Sequence, residues 1–217
     1  MSTRYKMIIF DWDGTLMDSL SRIVSCMQAA GRDLDLPSRS EKQVHDIIGL
    51  GLEEAISQLY PRLPATQVAH MRARYAHHYL REDHSPSRFY EGVLPMLDNL
   101  RERPVWLSVA TGKSRKGLDR VMQAASSGHY FHSSRCSDET ESKPSPRMVL
   151  ELLDLHGVSA SDAIVVGDTE FDMAMAENAG VDRIGVGWGA HQLHRLEKYQ
   201  PKACFNEVSD LADWLLA

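Results

Sequence analysis

Four short apolar segments of this chain are rich in β-branched residues and lack an alternating polar face. A strand of an antiparallel sheet often has one face in water, whereas a strand of a parallel sheet is covered on both faces. The segments therefore predict a parallel sheet packed between helices. They are KMIIFD (6–11), VWLSVAT (105–111), AIVVGD (163–168) and RIGVGW (183–188), with a weaker candidate, KACF, near Lys202.

Helical patterns alternate with these strands from Val105 onward. One apolar stripe with the period of a helix runs from Leu118 to Ala125, and a second runs from Met148 to Leu153. Ser145 and Pro146 suit the N-cap and first position of the second helix. Alternating strands and helices predict an α/β fold with a doubly wound parallel sheet, similar to a Rossmann fold.

The segment from Leu16 to Pro86 contains no convincing strand and interrupts this alternation. Its apolar residues recur at helical spacing, and Asp18–Ser19 suit the N-cap of its first helix. SPSRFYEG (85–92) has Pro and Gly where a hinge is expected. We therefore predict a core domain of residues 1–15 and 87–217, with residues 16–86 as an inserted all-helical domain, here called the helical insert.

Polar residues stand where the predicted strands end. Asp11 and Asp13 follow the first strand, Thr111 and Gly112 follow the second, and Asp168 ends the strand from Ala163. Ligands of parallel α/β sheets bind at the carboxyl ends of the strands, so these side chains should converge. Clustered carboxylates repel one another unless a cation neutralises them. Mg²⁺ suits such a set of oxygen ligands together with a phosphate.

The same residues carry a resemblance to the haloacid dehalogenase superfamily. IIFDWDGTLMDS resembles its DxDGT signature, Thr111–Gly112 stand at its second motif, Lys143 at its conserved lysine, and GDTEFD (167–172) at its GDxxxD motif. The motifs follow the family's order and span nearly the whole chain. The helical insert resembles the family's α-helical cap. IIGLGLEEAI and VGWGAHQLHRL look most like the phosphoglycolate phosphatase branch.

The resemblance implies a role for each residue. Asp11 is then the nucleophile that forms an aspartyl-phosphate, and Asp13 the general acid and base. Asp11, Asp168 and the backbone carbonyl of Asp13 are the implied Mg²⁺ ligands, which Asp172 supports, although Asp172 also suits the cap of the following helix. Thr111, Gly112 and Lys143 are the implied phosphate-binding residues, and Lys143 also neutralises charge during catalysis. Trp12 is expected to point into the core.

The net charge and the length of the apolar segments limit the binding partners and the cellular location that we expect. The formal net charge of −6 argues against nucleic-acid binding, which normally needs a basic face. The apolar run near the N-terminus is too short for a secretory signal, and no segment approaches the length of a membrane helix. We therefore expect a cytoplasmic protein that does not bind membranes and acts on a small phosphorylated metabolite.

Several alternatives remain open at the level of sequence. A Mg²⁺-dependent phosphatase acting on a small phosphomonoester, with phosphoglycolate as a candidate, is the leading hypothesis. A phosphomutase resembling β-phosphoglucomutase, or an inorganic pyrophosphatase of the same fold, would use the same core residues. A response-regulator receiver also places acids, a Thr and a Lys at strand ends, but it lacks a helical insert after the first strand. Neither the substrate nor the oligomeric state follows from the sequence.

Overall fold

The first strand lies at the centre of a parallel sheet. The computed structural model describes residues 4–82 and 87–217. Within them, six strands pair in the order β5-β4-β1-β6-β7-β8, all parallel, and two short strands form a separate antiparallel pair, β2-β3. The strands are β1 (Met7–Phe10), β2 (Met17–Asp18), β3 (Arg88–Phe89), β4 (Trp106–Thr111), β5 (Ser133–Cys136), β6 (Ala163–Gly167), β7 (Asp182–Val186) and β8 (Ala203–Phe205).

Helices separate most of these strands and follow the last one. None of the helices in the described part of the chain combines the length and apolar character that a membrane crossing needs. The α-helices are α1 (Leu20–Asp33), α2 (Glu41–His45), α3 (Leu52–Leu59), α4 (Ala65–His77), α5 (Val93–Arg101), α6 (Arg115–Ala124), α7 (Arg147–His156), α8 (Glu170–Asn178), α9 (Leu193–Leu196) and α10 (Val208–Leu216), and a π-helical turn, His78–Glu82, extends α4.

Successive residues of β1 pack on opposite faces of the sheet. Ile8 and Phe10 join a core that includes apolar residues of α5 and α10, whereas Met7 and Ile9 join a second core formed with α7 and α8. Both faces are therefore covered, which is why the strand sequences contain few polar residues. This arrangement confirms the predicted doubly wound α/β fold.

The helical insert has a hydrophobic core of its own. Apolar side chains of α1, α3 and α4 pack together there, and α4 contacts both of the other helices. The expected hinge at 85–92 falls partly, and the expected boundary at Pro86 wholly, outside the described residues.

Three local expectations differ from the structure. The region after Leu16 does contain a strand, β2, which pairs with β3 across the ends of the insert. The sequence reading also missed β5, whose residues SSRC lack the apolar pattern of a buried strand and form the edge of the sheet. Finally, α7 begins at Arg147 with Pro146 as its N-cap, so Ser145 is not the cap, although its hydroxyl accepts a hydrogen bond from the Arg147 amide at 3.3 Å.

Candidate active site

The carboxyl ends of three neighbouring strands form the floor of the site. Because β4, β1 and β6 are adjacent, they bring Thr111, Asp11 and Asp168 to one edge of the sheet. The Asp11 amide donates a hydrogen bond to the Val166 carbonyl at 2.9 Å, which continues the sheet beyond β1. Gly14 then turns the chain with φ +84°, and a Cβ there would collide with the Asp168 carboxylate.

A buried cluster of three carboxylates and one ammonium lies at this edge. One carboxylate oxygen from each of Asp11, Asp168 and Asp172 lies within 4.8 Å of the others. The Lys143 Nζ atom is 2.7 Å from Asp11 Oδ1 and 2.6 Å from Asp172 Oδ1. All four side chains are buried, with Lys143 only 1% exposed. The lysine compensates for part of the negative charge that the cluster carries when its acids are ionised.

Burial controls the protonation of these groups. It raises the pKa of Asp11 well above its ordinary value, an effect that Lys143 opposes and that the other two acids reinforce. Burial, followed by repulsion from Asp172, raises the pKa of Asp168 to about 7. Burial works to lower the pKa of Lys143, but the charges of Asp11 and Asp172 outweigh it and hold that pKa above its ordinary value. The cluster therefore favours a further cation or bound protons.

The donor set fits a metal ion. Its three buried carboxylates offer oxygen ligands at short mutual distances, and one ammonium leaves their charge incompletely balanced. Thr15 Oγ1 and the Ala190 amide donate hydrogen bonds to Asp168 at 2.7 and 2.8 Å, which orients this carboxylate. Asp11, Asp168 and Asp172 are the side chains that could hold a metal here.

Asp172 has two structural roles, because it also helps to start α8. Its Oδ2 atom accepts hydrogen bonds from the Thr169 amide at 3.0 Å and the Thr169 hydroxyl at 2.6 Å, while Thr169 Oγ1 accepts one from the Asp172 amide at 3.3 Å. This reciprocal capping box leaves Oδ1 directed at Lys143. The helix cap and the contact with the cluster therefore coexist in one side chain.

The Asp13 side chain takes part in a separate set of contacts. The Ser19 hydroxyl donates a hydrogen bond to Asp13 Oδ1 at 2.5 Å, and the Lys113 Nζ atom is 2.9 Å from Asp13 Oδ2. Lys113 also lies over the ring of Tyr79, at 4.9 Å from its centroid. Ser19 occupies the N-cap position of α1 as expected, but its hydroxyl bonds Asp13 rather than the helix amides. The two acids of the signature therefore have different environments.

Thr111 and Gly112 face the helical insert across a narrow gap. The Thr111 hydroxyl accepts a hydrogen bond from the Lys113 amide at 3.2 Å, and the Ser137 hydroxyl donates one to the Gly112 carbonyl at 2.7 Å. A Cβ on Gly112 would collide with the Leu50 carbonyl and lie 2.7 Å from the Gly49 carbonyl. Glycine is therefore required for this approach between core and insert.

The profile of the haloacid dehalogenase-like hydrolase family matches residues 8–186, which include the acids of both motifs, Thr111 and Lys143. The chain belongs to this family.

Known relatives of this hydrolase extend over nearly its full length. It is 33% identical to the probable phosphatase IndB of Dickeya dadantii, over 97% of this chain and 94% of the relative, and 29% identical to the phosphoglycolate phosphatase of Vibrio cholerae, over 97% of each. A solved structure titled as a predicted phosphoglycolate phosphatase from Haemophilus somnus superposes with a TM-score of 0.88 at 25% identity, covering 97% and 98% of the two chains. A hydrolase of the same family from Streptococcus pneumoniae has a TM-score of 0.85 at 23% identity, covering 97% and 98%, and shows the shared fold.

Family membership confirms the resemblance stated from the motifs and the prediction that the chain is a hydrolase. It also makes the receiver-domain alternative wrong, because the matched region spans the helical insert as well as the core.

The structure brings most of the predicted site residues of this hydrolase together. Asp11, Asp168, Asp172 and Lys143 form the buried cluster, whereas Asp13, Thr111 and Gly112 line a cavity that also reaches Asp11. Trp12 is fully buried between Phe89 and Phe131, as expected. The roles of these residues in catalysis stay predictions.

Sequence reasoning missed the partners of Asp13. Lys113 directly follows Thr111–Gly112, and its position just after a strand was the sequence signal that could have indicated a place for Lys113 in the site. Burial works to lower the pKa of Lys113, but Asp13 outweighs it and holds that pKa above its ordinary value. Tyr79, which contacts Lys113, lies near the C-terminal end of the insert, and no local sequence pattern connects it with Asp13.

Proposed function

We propose that this hydrolase is a Mg²⁺-dependent phosphatase that acts on a small phosphomonoester through an aspartyl-phosphate on Asp11. The observation that carries the proposal is the Lys143 ammonium held between Asp11 and Asp172, next to a cavity that Asp11 lines. A carboxylate beside an ammonium can receive a phosphoryl group whose negative charge that ammonium helps to stabilise. Phosphatases among the relatives support the same reaction class.

Each residue then has a defined task. Asp11 attacks phosphorus, while Lys143 and the amide and hydroxyl donors of Thr111–Gly112 hold the phosphoryl oxygens. Asp13 enters this step protonated, donates its proton to the leaving oxygen as the P–O bond breaks, and becomes a carboxylate. In the second step Asp13 accepts a proton from water, which attacks the aspartyl-phosphate and releases inorganic phosphate. The contacts from Ser19 and Lys113 hold the Asp13 carboxylate beside the cavity.

The metal contribution is electrostatic. Asp11, Asp168 and Asp172, with the Asp13 carbonyl, would hold Mg²⁺, which when bound neutralises phosphoryl charge and helps to align the reactants. The substrate class that we propose is a phosphorylated metabolite, and phosphoglycolate is one candidate to test because the relative from Vibrio cholerae is named a phosphoglycolate phosphatase.

The test is replacement of the nucleophile. Asp11→Asn should lower kcat for phosphate release from p-nitrophenyl phosphate and phosphoglycolate by about a thousandfold or more, because the amide cannot form the acyl phosphate. Circular dichroism checks folding, and Asp154→Asn, at an exposed position of α7, is the matched control. Activity in Asp11→Asn equal to the wild type would refute the mechanism.

The same assay separates the phosphatase from its alternatives. A phosphatase releases free phosphate from monoesters in proportion to substrate consumed. A phosphomutase would convert one sugar phosphate to its isomer without that release, and a pyrophosphatase would act on pyrophosphate in preference to the esters.

A further inference from the structure

A cavity of about 610 Å³ separates the helical insert from the catalytic floor. Asp11, Asp13 and Thr111 line one side of it. The opposite side comes from the insert and is mainly apolar, with contributions from Ile23, Met27, Ile47, Ile48, Leu50 and Leu52. A bound phosphomonoester would therefore have its phosphoryl group on the polar floor and its remaining atoms against an apolar wall.

The cavity is present even though the insert and the core are in contact with each other. The Gly51 amide donates a hydrogen bond to Ser142 Oγ at 2.7 Å, and the Gly49–Leu50 carbonyls lie directly against Gly112. Lys113 of the core also reaches Tyr79 of the insert, with 3.4 Å between Nζ and the hydroxyl. The cavity is therefore not produced by an insert that has swung away from the core.

Phosphoglycolate is too small for this space. A water molecule takes up about 30 Å³ in the liquid. If each of the about nine non-hydrogen atoms of phosphoglycolate took the same volume, the molecule would occupy at most roughly 270 Å³, which is under half of the cavity. By the same measure the cavity accommodates a phosphoryl group together with a leaving group of about 15 non-hydrogen atoms.

The cavity wall is poorly suited to the carboxylate of glycolate, although Lys116 and Arg120 also line it, because both of these side chains are exposed to solvent and the lining cations Lys113 and Arg72 are already paired with acids. Lys113 is paired with Asp13 at 2.9 Å, and Arg72 is paired with Glu53 at 2.5 Å at the outer end. A second anion would have to compete with these carboxylates for the ammonium and the guanidinium. An apolar body, in contrast, gains free energy by covering the wall from water.

We propose that the alcohol released by this phosphatase is bulky and mainly apolar, such as an arylalkyl or long-chain alcohol, rather than glycolate. The inference rests on the proposed function and names the substrate class of that same site. The P–O bond to this alcohol breaks, Asp11 takes the phosphoryl group, and the alcohol oxygen leaves with the proton of Asp13.

Helix α4 supplies the position for a test. Ala69, Ala73 and Ala76 line the cavity at helical spacing, so a larger side chain at Ala73 would reduce the room for the leaving group. Ala65 lies on the same helix, is exposed and does not line the cavity. Ala65→Leu is therefore a matched control for Ala73→Leu.

The experiment compares primary alkyl phosphates, whose alcohols leave with similar intrinsic ease. Wild-type kcat/KM should be about tenfold or more higher for 2-(1-naphthyl)ethyl phosphate than for ethyl phosphate or phosphoglycolate, because the apolar wall binds the ring. Ala73→Leu should reduce the ratio of the naphthyl to the ethyl value by about tenfold, and Ala65→Leu should leave that ratio unchanged.

Two results would overturn the inference in distinguishable ways. If phosphoglycolate is the better substrate and Ala73→Leu does not alter the ratio, the bulky leaving group is wrong while the phosphatase assignment stands. If none of the three esters releases phosphate from the folded, Mg²⁺-supplied enzyme, the proposed function itself fails and the inference fails with it.

Discussion

Lys143 shows how a single buried cation can hold several buried acids together. Its ammonium contacts Asp11 and Asp172, and the side chain is almost completely excluded from solvent. Burying an ammonium is costly unless it is paired, and burying several carboxylates close together is costly unless a cation lies among them. Each side chain therefore makes the burial of the others possible, and the cluster is stable only as a unit.

We expect Lys143→Met to lower stability as well as activity. Removing the ammonium leaves buried carboxylates uncompensated, which costs about 3 kcal/mol or more in the free energy of unfolding. Urea denaturation at neutral pH measures this cost, and added Mg²⁺ should recover part of it. The control is Lys6→Met, which breaks an exposed pair with Asp162 and should cost about 1 kcal/mol or less. Similar losses in both variants would contradict the proposed balance of charge.

Stabilisation by Mg²⁺ should increase with pH. Burial and Asp172 raise the pKa of Asp168 to about 7, and burial raises the pKa of Asp11 as well. The folded apoprotein therefore holds protons that the unfolded chain has lost, so these acids make folding less favourable as pH rises from their ordinary pKa through about 7. If Mg²⁺ binds this cluster as proposed, it would remove that penalty by keeping the acids ionised.

The measurement is the difference in Tm between samples with excess MgCl₂ and samples with a chelator. That difference should be several degrees larger at about pH 8 than at about pH 5. Histidines far from the cluster change Tm equally in both samples, so their titration does not contribute to the difference. A difference that shrinks with increasing pH would argue against a metal bound by these carboxylates.

The loop between α2 and α3 and the turn after β4 approach each other closely through their backbones. Gly112, at the end of β4, lies against the Gly49 and Leu50 carbonyls, and Gly51 bonds Ser142. Two segments from distant parts of the chain thus meet through backbone atoms. Gly49, Leu50, Thr111 and Gly112 all line the cavity, so this approach forms part of its wall.

Gly112→Ala should displace this loop. Because a Cβ at this position collides with a carbonyl of the backbone, the loop must move, and we expect kcat/KM to fall about ten- to a hundredfold. The matched control is Gly128→Ala, where a Cβ has open space and no strained φ is required. Steady-state kinetics and thermal unfolding should show that the first variant loses activity and the second does not. Wild-type kinetics in Gly112→Ala would contradict a closed loop at this position.

At the scale of the whole molecule, ion pairs and hydrogen bonds join the insert to the core on two sides of the site. Arg195 of α9 pairs with Asp46 of the insert and with Glu170 at the start of α8. The buried His191 accepts a hydrogen bond from the Glu170 amide and contacts the His45 carbonyl at 3.2 Å. Together with the contact between Lys113 and Tyr79, they hold the insert over the carboxyl ends of the core strands.

Asp46→Ala should weaken this closed arrangement without unfolding the protein. The Asp46–Arg195 pair is partly exposed, so its loss should cost about 1 kcal/mol or less, and kcat/KM should fall about two- to fivefold. Added salt should reduce wild-type activity more than that of the variant, because salt screens the pair that the variant lacks. Glu177→Ala, which removes a pair within the core, is the control. Equal salt dependence in all three proteins would show that the Asp46 pair does not assist closure.

Local sequence patterns were sufficient to predict the central core strands and the cluster of polar residues at their ends. β1, β4 and β6 are short, apolar and β-branched, and parallel pairing places Asp11, Thr111 and Asp168 at one edge whatever the intervening sequence is. β5 could not be recognised in the same way, since its polar residues obtain their strand conformation from pairing with β4 rather than from their own pattern.

The contacts that depend on the path of the whole chain could not be read from those patterns. Lys113 meets Asp13, Gly112 meets the Leu50 carbonyl, and Tyr79 lies beside Lys113, although the partners in each contact are far apart in sequence. Residue types and spacing specify strands, helices and the chemistry at strand ends because those properties are local. The size and apolar wall of the cavity come from how the insert packs on the core, since that packing brings together side chains with no relation in sequence.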